Sequence, residues 1–90
     1  MSERRSKLEI VYDILAFMQR KGGRIKPTHI LYGGNLSYNR LKEYIKELED
    51  KELIVLVEDR DKRFYQITDK GLNLIYEFKK IKEITDAFGL

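Results

Sequence analysis

Apolar residues near the start of the chain recur with the period of a helix. At about 100° per residue, Leu8, Val11, Leu15 and Met18 share one stripe, and Ile10, Ile14 and Phe17 form a second stripe beside it. The pattern predicts a helix from about Glu3 to Lys21, closed by Gly22-Gly23, a pair suited to the left-handed backbone that follows a helix end. One stripe docks such a helix on its own domain. The second needs a cover, either another segment or another subunit.

Downstream, Arg24-Ile25-Lys26 reads as a short strand, and Pro27 fits the first turn of a brief helix from Thr28 to Tyr32 that Gly33-Gly34 ends. A third helix runs from Ser37, whose hydroxyl caps it, to about Glu52. On it Leu41, Tyr44, Ile45 and Leu48 share the packing face. After Leu53 the period changes: Leu53-Ile54-Val55-Leu56-Val57-Glu58 and Arg63-Phe64-Tyr65-Gln66-Ile67-Thr68 are β-rich runs joined by the polar tip Asp59-Arg60-Asp61-Lys62, which makes a hairpin. Thr68 then caps a last helix, Asp69 to about Phe88. There Leu72, Ile75 and Tyr76 suit packing on the domain, while Leu74, Phe78, Ile81, Thr85 and Phe88 form a second, heptad-spaced seam.

This order of parts reads as a winged helix-turn-helix: an α+β, mostly helical fold with a three-helix core, a β-hairpin wing and an added C-terminal helix. Residues 1–70 make the core unit and residues 71–90 the extra helix of the same single domain. The seam on that helix predicts a homodimer through Leu74, Phe78, Ile81, Thr85 and Phe88, joined by the Ile10, Ile14 and Phe17 stripe. The alternative is that the helix folds back along that stripe within its own chain.

Charge adds a direction. The net charge of +3 is small, but its distribution along the third helix is uneven. Arg40, Lys42 and Lys46 face only Glu43 in the first half, whereas Glu47, Glu49, Asp50 and Glu52 face only Lys51 in the last stretch. This ordering opposes the helix dipole. A helix whose N-terminal half enters a DNA groove supplies a reason for it, and a solvated face of mixed charge is the plainer reading.

The face opposite the packing residues carries Asn39, Lys42, Glu43 and Lys46, flanked by Tyr38 and Arg40, with Ser37 at the start. Asn pairs with adenine in bidentate fashion, Arg with guanine, and Lys reaches a phosphate or a guanine edge. Glu43 either accepts from a cytosine amino group or holds Arg40 or Lys46 in position. Tyr38 is either a partly buried aromatic or a phosphate-contacting hydroxyl. At the hairpin tip, Arg60, Lys62 and Arg63 are the basic side chains that a wing lays on the flanking backbone. The recognition helix is thus expected over about Ser37 to Glu49, in the major groove, and the wing over about Glu58 to Arg63.

The run Leu36-Ser37-Tyr38 with Leu41, then Ile45-Lys46-Glu47-Leu48, Leu53-Ile54 and Tyr65-Gln66-Ile67-Thr68-Asp69-Lys70-Gly71, resembles the pattern of small archaeal winged-helix DNA-binding proteins, especially the crenarchaeal chromatin-associated type. The resemblance implies a homodimer joined by antiparallel C-terminal helices that binds double-stranded DNA through the helix at Ser37 to Lys46. Two departures stand out. Glu52 occupies a position where such proteins often have Gly, and the C-terminal helix is short.

Other classes are weakly supported. Charged residues reach 37% against roughly 25% in ordinary domains, and 42% hydrophobic residues are enough for a core. There is no Cys, and His29 is the one histidine, so a thiol nucleophile, Cys-ligated zinc, a histidine relay and a histidine metal cluster have no residues to build on. No cofactor and no small-molecule ligand is expected. Neither a signal peptide nor a membrane-length apolar run is apparent, which predicts a cytoplasmic, nucleoid-associated protein. The rival to DNA binding is a winged-helix module that docks on other proteins.

Overall fold

The computed structural model describes residues 6–32 and 36–90. The predicted Gly33-Gly34 turn and the first five residues lie outside the described residues. Helix α1 spans Lys7–Arg20 and opens on a reciprocal cap: the Glu9 amide donates to the Ser6 hydroxyl at 3.1 Å and the Ser6 amide to the Glu9 carboxylate at 2.8 Å. Strand β1 is Arg24–Ile25. The expected second helix is a single 3-10 turn, His29–Tyr32. Helix α2 covers Tyr38–Asp50, strands β2 and β3 cover Ile54–Asp59 and Lys62–Ile67, and helix α3 covers Asp69–Ala87.

The three strands form one antiparallel sheet in the order β1-β3-β2. Pairing of Ile25 with Tyr65 brings the short strand onto the hairpin, a long-range contact that no local pattern announces. The wing turns through two residues: Asp59 pairs with Lys62, and Arg60 and Asp61 between them have φ of 52° and 68°. Two successive left-handed residues give the turn whose twist matches that of the strands.

All three α-helices end alike. After α1 the Gly22 amide donates to the Gln19 carbonyl and the Gly23 amide to the Met18 carbonyl; after α2 Glu52 and Leu53 donate to Glu49 and Leu48; after α3 Gly89 and Leu90 donate to Asp86 and Thr85. This is the Schellman cap, which places its first residue past the cap in the left-handed region. Two of the three residues there are glycine, and the third is Glu52 at φ 62°.

Ile14, Leu15, Met18, Leu48 and Ile54 are fully enclosed at the centre of the core. Ile10 and Ile14 belong to that core, so the stripe expected to be free for a partner is used within the chain. Helix α3 explains this, for its inward arc is Gly71, Leu74, Ile75 and Phe78. Leu74 packs on the core, and the Phe78 ring stacks on Tyr12 of α1 with centroids 4.6 Å apart. Leu74 and Phe78 are therefore covered by their own chain, while Leu72 and Tyr76, expected inside, stand outside this arc and are exposed. The fold-back arrangement holds for the first half of α3. Beyond it Thr85 is half-buried, and Ile81, Ile84 and Phe88 are 55%, 56% and 75% exposed.

The start of α3 is clasped to the end of α2. The Thr68 hydroxyl accepts from the Gly71 amide, capping α3, and donates to the Glu52 carbonyl at 2.7 Å. Lys70 Nζ donates to the Lys51 carbonyl at 2.8 Å, satisfying a carbonyl at the α2 terminus. The Thr-Asp-Lys-Gly run thus sets α3 against the turn that leaves α2.

Candidate nucleic-acid interface

Helix α2 is aimed by its buried face. Leu41, Ile45 and Leu48 are in the core, which turns Asn39, Lys42, Glu43 and Lys46 outward, and all four are exposed. The Ser37 hydroxyl accepts from the Arg40 amide at 3.3 Å, so its role is to fix the helix start. On the far side, Lys7 of α1 donates to Glu47 at 2.6 Å. That hydrogen bond, with the attraction between the two charges, holds the Lys7 ammonium pKa above its ordinary value. The pair braces α2 against α1.

Cations on the outer face are held mostly by aromatic rings. The Arg40 guanidinium lies 5.8 Å from the Tyr44 centroid and 3.5 Å from its hydroxyl, and Lys42 Nζ lies 5.3 Å from the ring of Tyr38, itself 59% exposed. A ring positions a cation without cancelling its charge, so these two remain available to an anion. Lys46 differs, with Asp50 at 3.6 Å. Glu43, expected to hold Arg40 or Lys46, pairs with neither: the shorter reach to Tyr44 and the next-turn Asp50 take those two cations. The first turn of α2 contains no acid and its last turn no base, as the sequence order requires.

A groove of about 240 Å³ runs between α2 and β3, with Ile30, Leu41 and Ile45 in its wall and Lys42 and Lys46 at its edge. Tyr65 borders it half-buried. Burial first, then the Glu49 carboxylate, push the Tyr65 hydroxyl pKa up, so it stays a donor.

In the wing, Arg60, Lys62 and Arg63 are all exposed. Lys62 stands opposite Asp59 and Arg63 opposite Glu58. Arg24, a residue the sequence pattern did not single out, reaches Asp59 at 3.4 Å, donates to Gln66 at 2.9 and 3.2 Å, and lies 5.3 Å from the Phe64 ring. It spans all three strands and draws off one of the wing's acids. Only the pairing of β1 with β3 puts it there, and a two-residue strand carries too little pattern to reveal a partner.

The structure brings the α2 residues together on one exposed face and sets Arg60, Lys62 and Arg63 on one hairpin end. Among the described residues there is no group of three or more His, Cys, Asp or Glu able to hold a metal ion, and no helix is long and apolar enough to cross a membrane.

Comparison with known proteins agrees with this architecture. A family model described as winged helix-turn-helix matches residues 4–86. An uncharacterized protein of Methanocaldococcus jannaschii is 32% identical over 83 residues, covering 92% of this chain and 35% of the relative. The chain therefore spans about a third of the length of that relative. Among solved structures, Sso10a-2, a DNA-binding protein from Sulfolobus solfataricus, superposes with a TM-score of 0.76 at 24% identity, over 93% of this chain and 85% of that one. BpsR of Bordetella bronchiseptica, whose DNA binding is regulated by 6-hydroxynicotinic acid, gives 0.68 at 19% identity over 91% of this chain and 59% of that one. TubR, of type III plasmid segregation, gives 0.63 at 17% identity over 89% and 91%. These likenesses show a shared fold.

Proposed function

We propose that this chain, which belongs to the winged helix-turn-helix family, binds double-stranded DNA as a transcriptional regulator or chromatin-associated factor, acting at the nucleoid. Helix α2 enters the major groove, and the β2–β3 hairpin lies on the flanking backbone. The observation that carries this reading is the placement of Arg40 and Lys42 over Tyr44 and Tyr38, exposed and without a carboxylate, at the front of a helix that has no acid in its first turn. Asn39 reads a base edge beside them, Tyr38 and Lys46 meet the backbone, and Arg60, Lys62 and Arg63 do so from the wing. The shared fold of Sso10a-2, a DNA-binding protein, and of BpsR, whose DNA binding is regulated by 6-hydroxynicotinic acid, supports it.

A second copy completes the binding unit. Ile81 and Phe88, with Ile84, form an exposed apolar strip on the distal half of α3, and a strip of this kind on a small chain marks an interface. Pairing two such helices about a two-fold axis sets two α2 helices on one duplex.

The test is titration of the protein into labelled duplex DNA at rising salt. Binding that falls steeply with salt supports the reading, because neutralised phosphates release counterions. Absence of binding at low salt leaves the protein-docking reading in its place.

A further inference from the structure

Residues 14–42 hold no Asp or Glu, yet they carry Arg20, Lys21, Arg24, Lys26, Arg40 and Lys42. In a chain with 18 basic and 15 acidic residues overall, this segment is where the positive charge is left uncompensated. Part of it is the α2 face already described. Arg24 pairs with Asp59, and the rest gathers elsewhere, around Phe17.

Arg20 lies 5.9 Å and Lys21 5.5 Å from the Phe17 ring centroid. Lys21, Lys26 and His29 border one shallow depression with Phe17 and Ile25. Ion pairs between described residues join Lys7 to Glu47, Arg24 to Asp59, Lys46 to Asp50 and Lys80 to Glu77, and none takes up Arg20, Lys21 or Lys26. All three are exposed. The C-terminal end of α1 accounts for Arg20 and Lys21, since cations are favoured there. It does not account for Lys26, which follows β1. Both cations sit over the half-buried Phe17 ring, which serves as their seat.

The patch adjoins the α2 face. Segment 27–30 separates the two: Pro27 and Ile30 border the groove beside α2, and His29 borders the depression beside Phe17. We infer that Arg20, Lys21 and Lys26 form a second phosphate-binding surface, which takes the sugar-phosphate backbone of the duplex beyond the stretch under α2. This inference rests on the reading of α2 as the DNA-facing helix. Exposed unpaired cations contribute through counterion release and read no bases, so the surface adds affinity and leaves sequence preference unchanged.

The experiment compares the full chain with the triple variant Arg20→Ala, Lys21→Ala, Lys26→Ala by fluorescence anisotropy on several duplex sequences across a salt series. The expected result is binding weaker by about tenfold at low salt on every sequence, with a salt slope smaller by roughly two to three. Should the triple variant melt early, the pair Lys21→Gln, Lys26→Gln replaces it, with a slope smaller by up to roughly two. Unchanged affinity and slope in a folded variant overturn the second surface, while wild-type binding that remains sensitive to Arg40 and Lys42 keeps the α2 reading intact. No binding by wild type overturns both.

Discussion

Gly71 stands directly against Leu53: a Cβ on residue 71 would lie 2.4 Å from the Leu53 carbonyl oxygen and 2.7 Å from Ile67 Cγ1. The close approach lets Thr68 reach the turn after α2 and sets the docking of α3. Gly71→Ala should improve helix propensity by about 1 kcal/mol and still destabilise the protein, because the clash with fixed backbone costs more, leaving a net loss of about 1 to 2 kcal/mol. Urea unfolding measures it. A variant at least as stable as wild type would mean that α3 does not dock on the Leu53 carbonyl.

Glu52 gives the opposite sign. Its left-handed φ of 62° in the cap after α2 is one that glycine adopts without cost. Glu52→Gly should stabilise the protein by about 0.5 to 1 kcal/mol, since its bonds are all made by backbone and the side chain is exposed. A lower unfolding midpoint would contradict the assignment of this turn.

Much of this was legible in the sequence, and the failures have a common cause. Helices and hairpin showed themselves because period and caps are local: Ser37 and Thr68 cap α2 and α3 as expected. Even the departure at Glu52 was visible, and it turned out to be a strained copy of the usual cap. What failed was the partition of apolar surplus on α1 and α3. Ile10, Ile14, Leu74 and Phe78 were expected at a subunit seam, yet two helices of one chain cover each other along that arc. A stripe says that something must cover it and leaves open what does. Arg24 carries no local signal for a related reason, because its role comes from a strand pairing between residues 42 positions apart.

Changing Arg60 and Lys62 to Ala should weaken binding about equally on all duplexes and lower the salt slope by up to roughly two. Arg24 holds Asp59 independently of both residues, so the hairpin keeps its place. A slope equal to that of wild type would put the hairpin off the DNA.

Assembly separates two positions on α3. Phe78→Glu should destabilise the fold by about 2 to 3 kcal/mol, since it removes the ring stacked on Tyr12 and sets a charge against α1. Ile81→Glu, at an exposed position, should leave the melting of the monomer unit unchanged and shift sedimentation from dimer to monomer. A wild-type chain that sediments as a monomer at the concentrations of DNA binding would remove the dimer.

The most direct measurement is the affinity of Arg40→Ala, Lys42→Ala for duplex DNA beside that of wild type, in low salt, with circular dichroism confirming the fold. The account predicts tight, salt-sensitive binding by wild type and a loss of about 1 to 3 kcal/mol in the double variant. Equal binding by the two proteins would contradict it, because the cations held over Tyr44 and Tyr38 would then have no part in the interface.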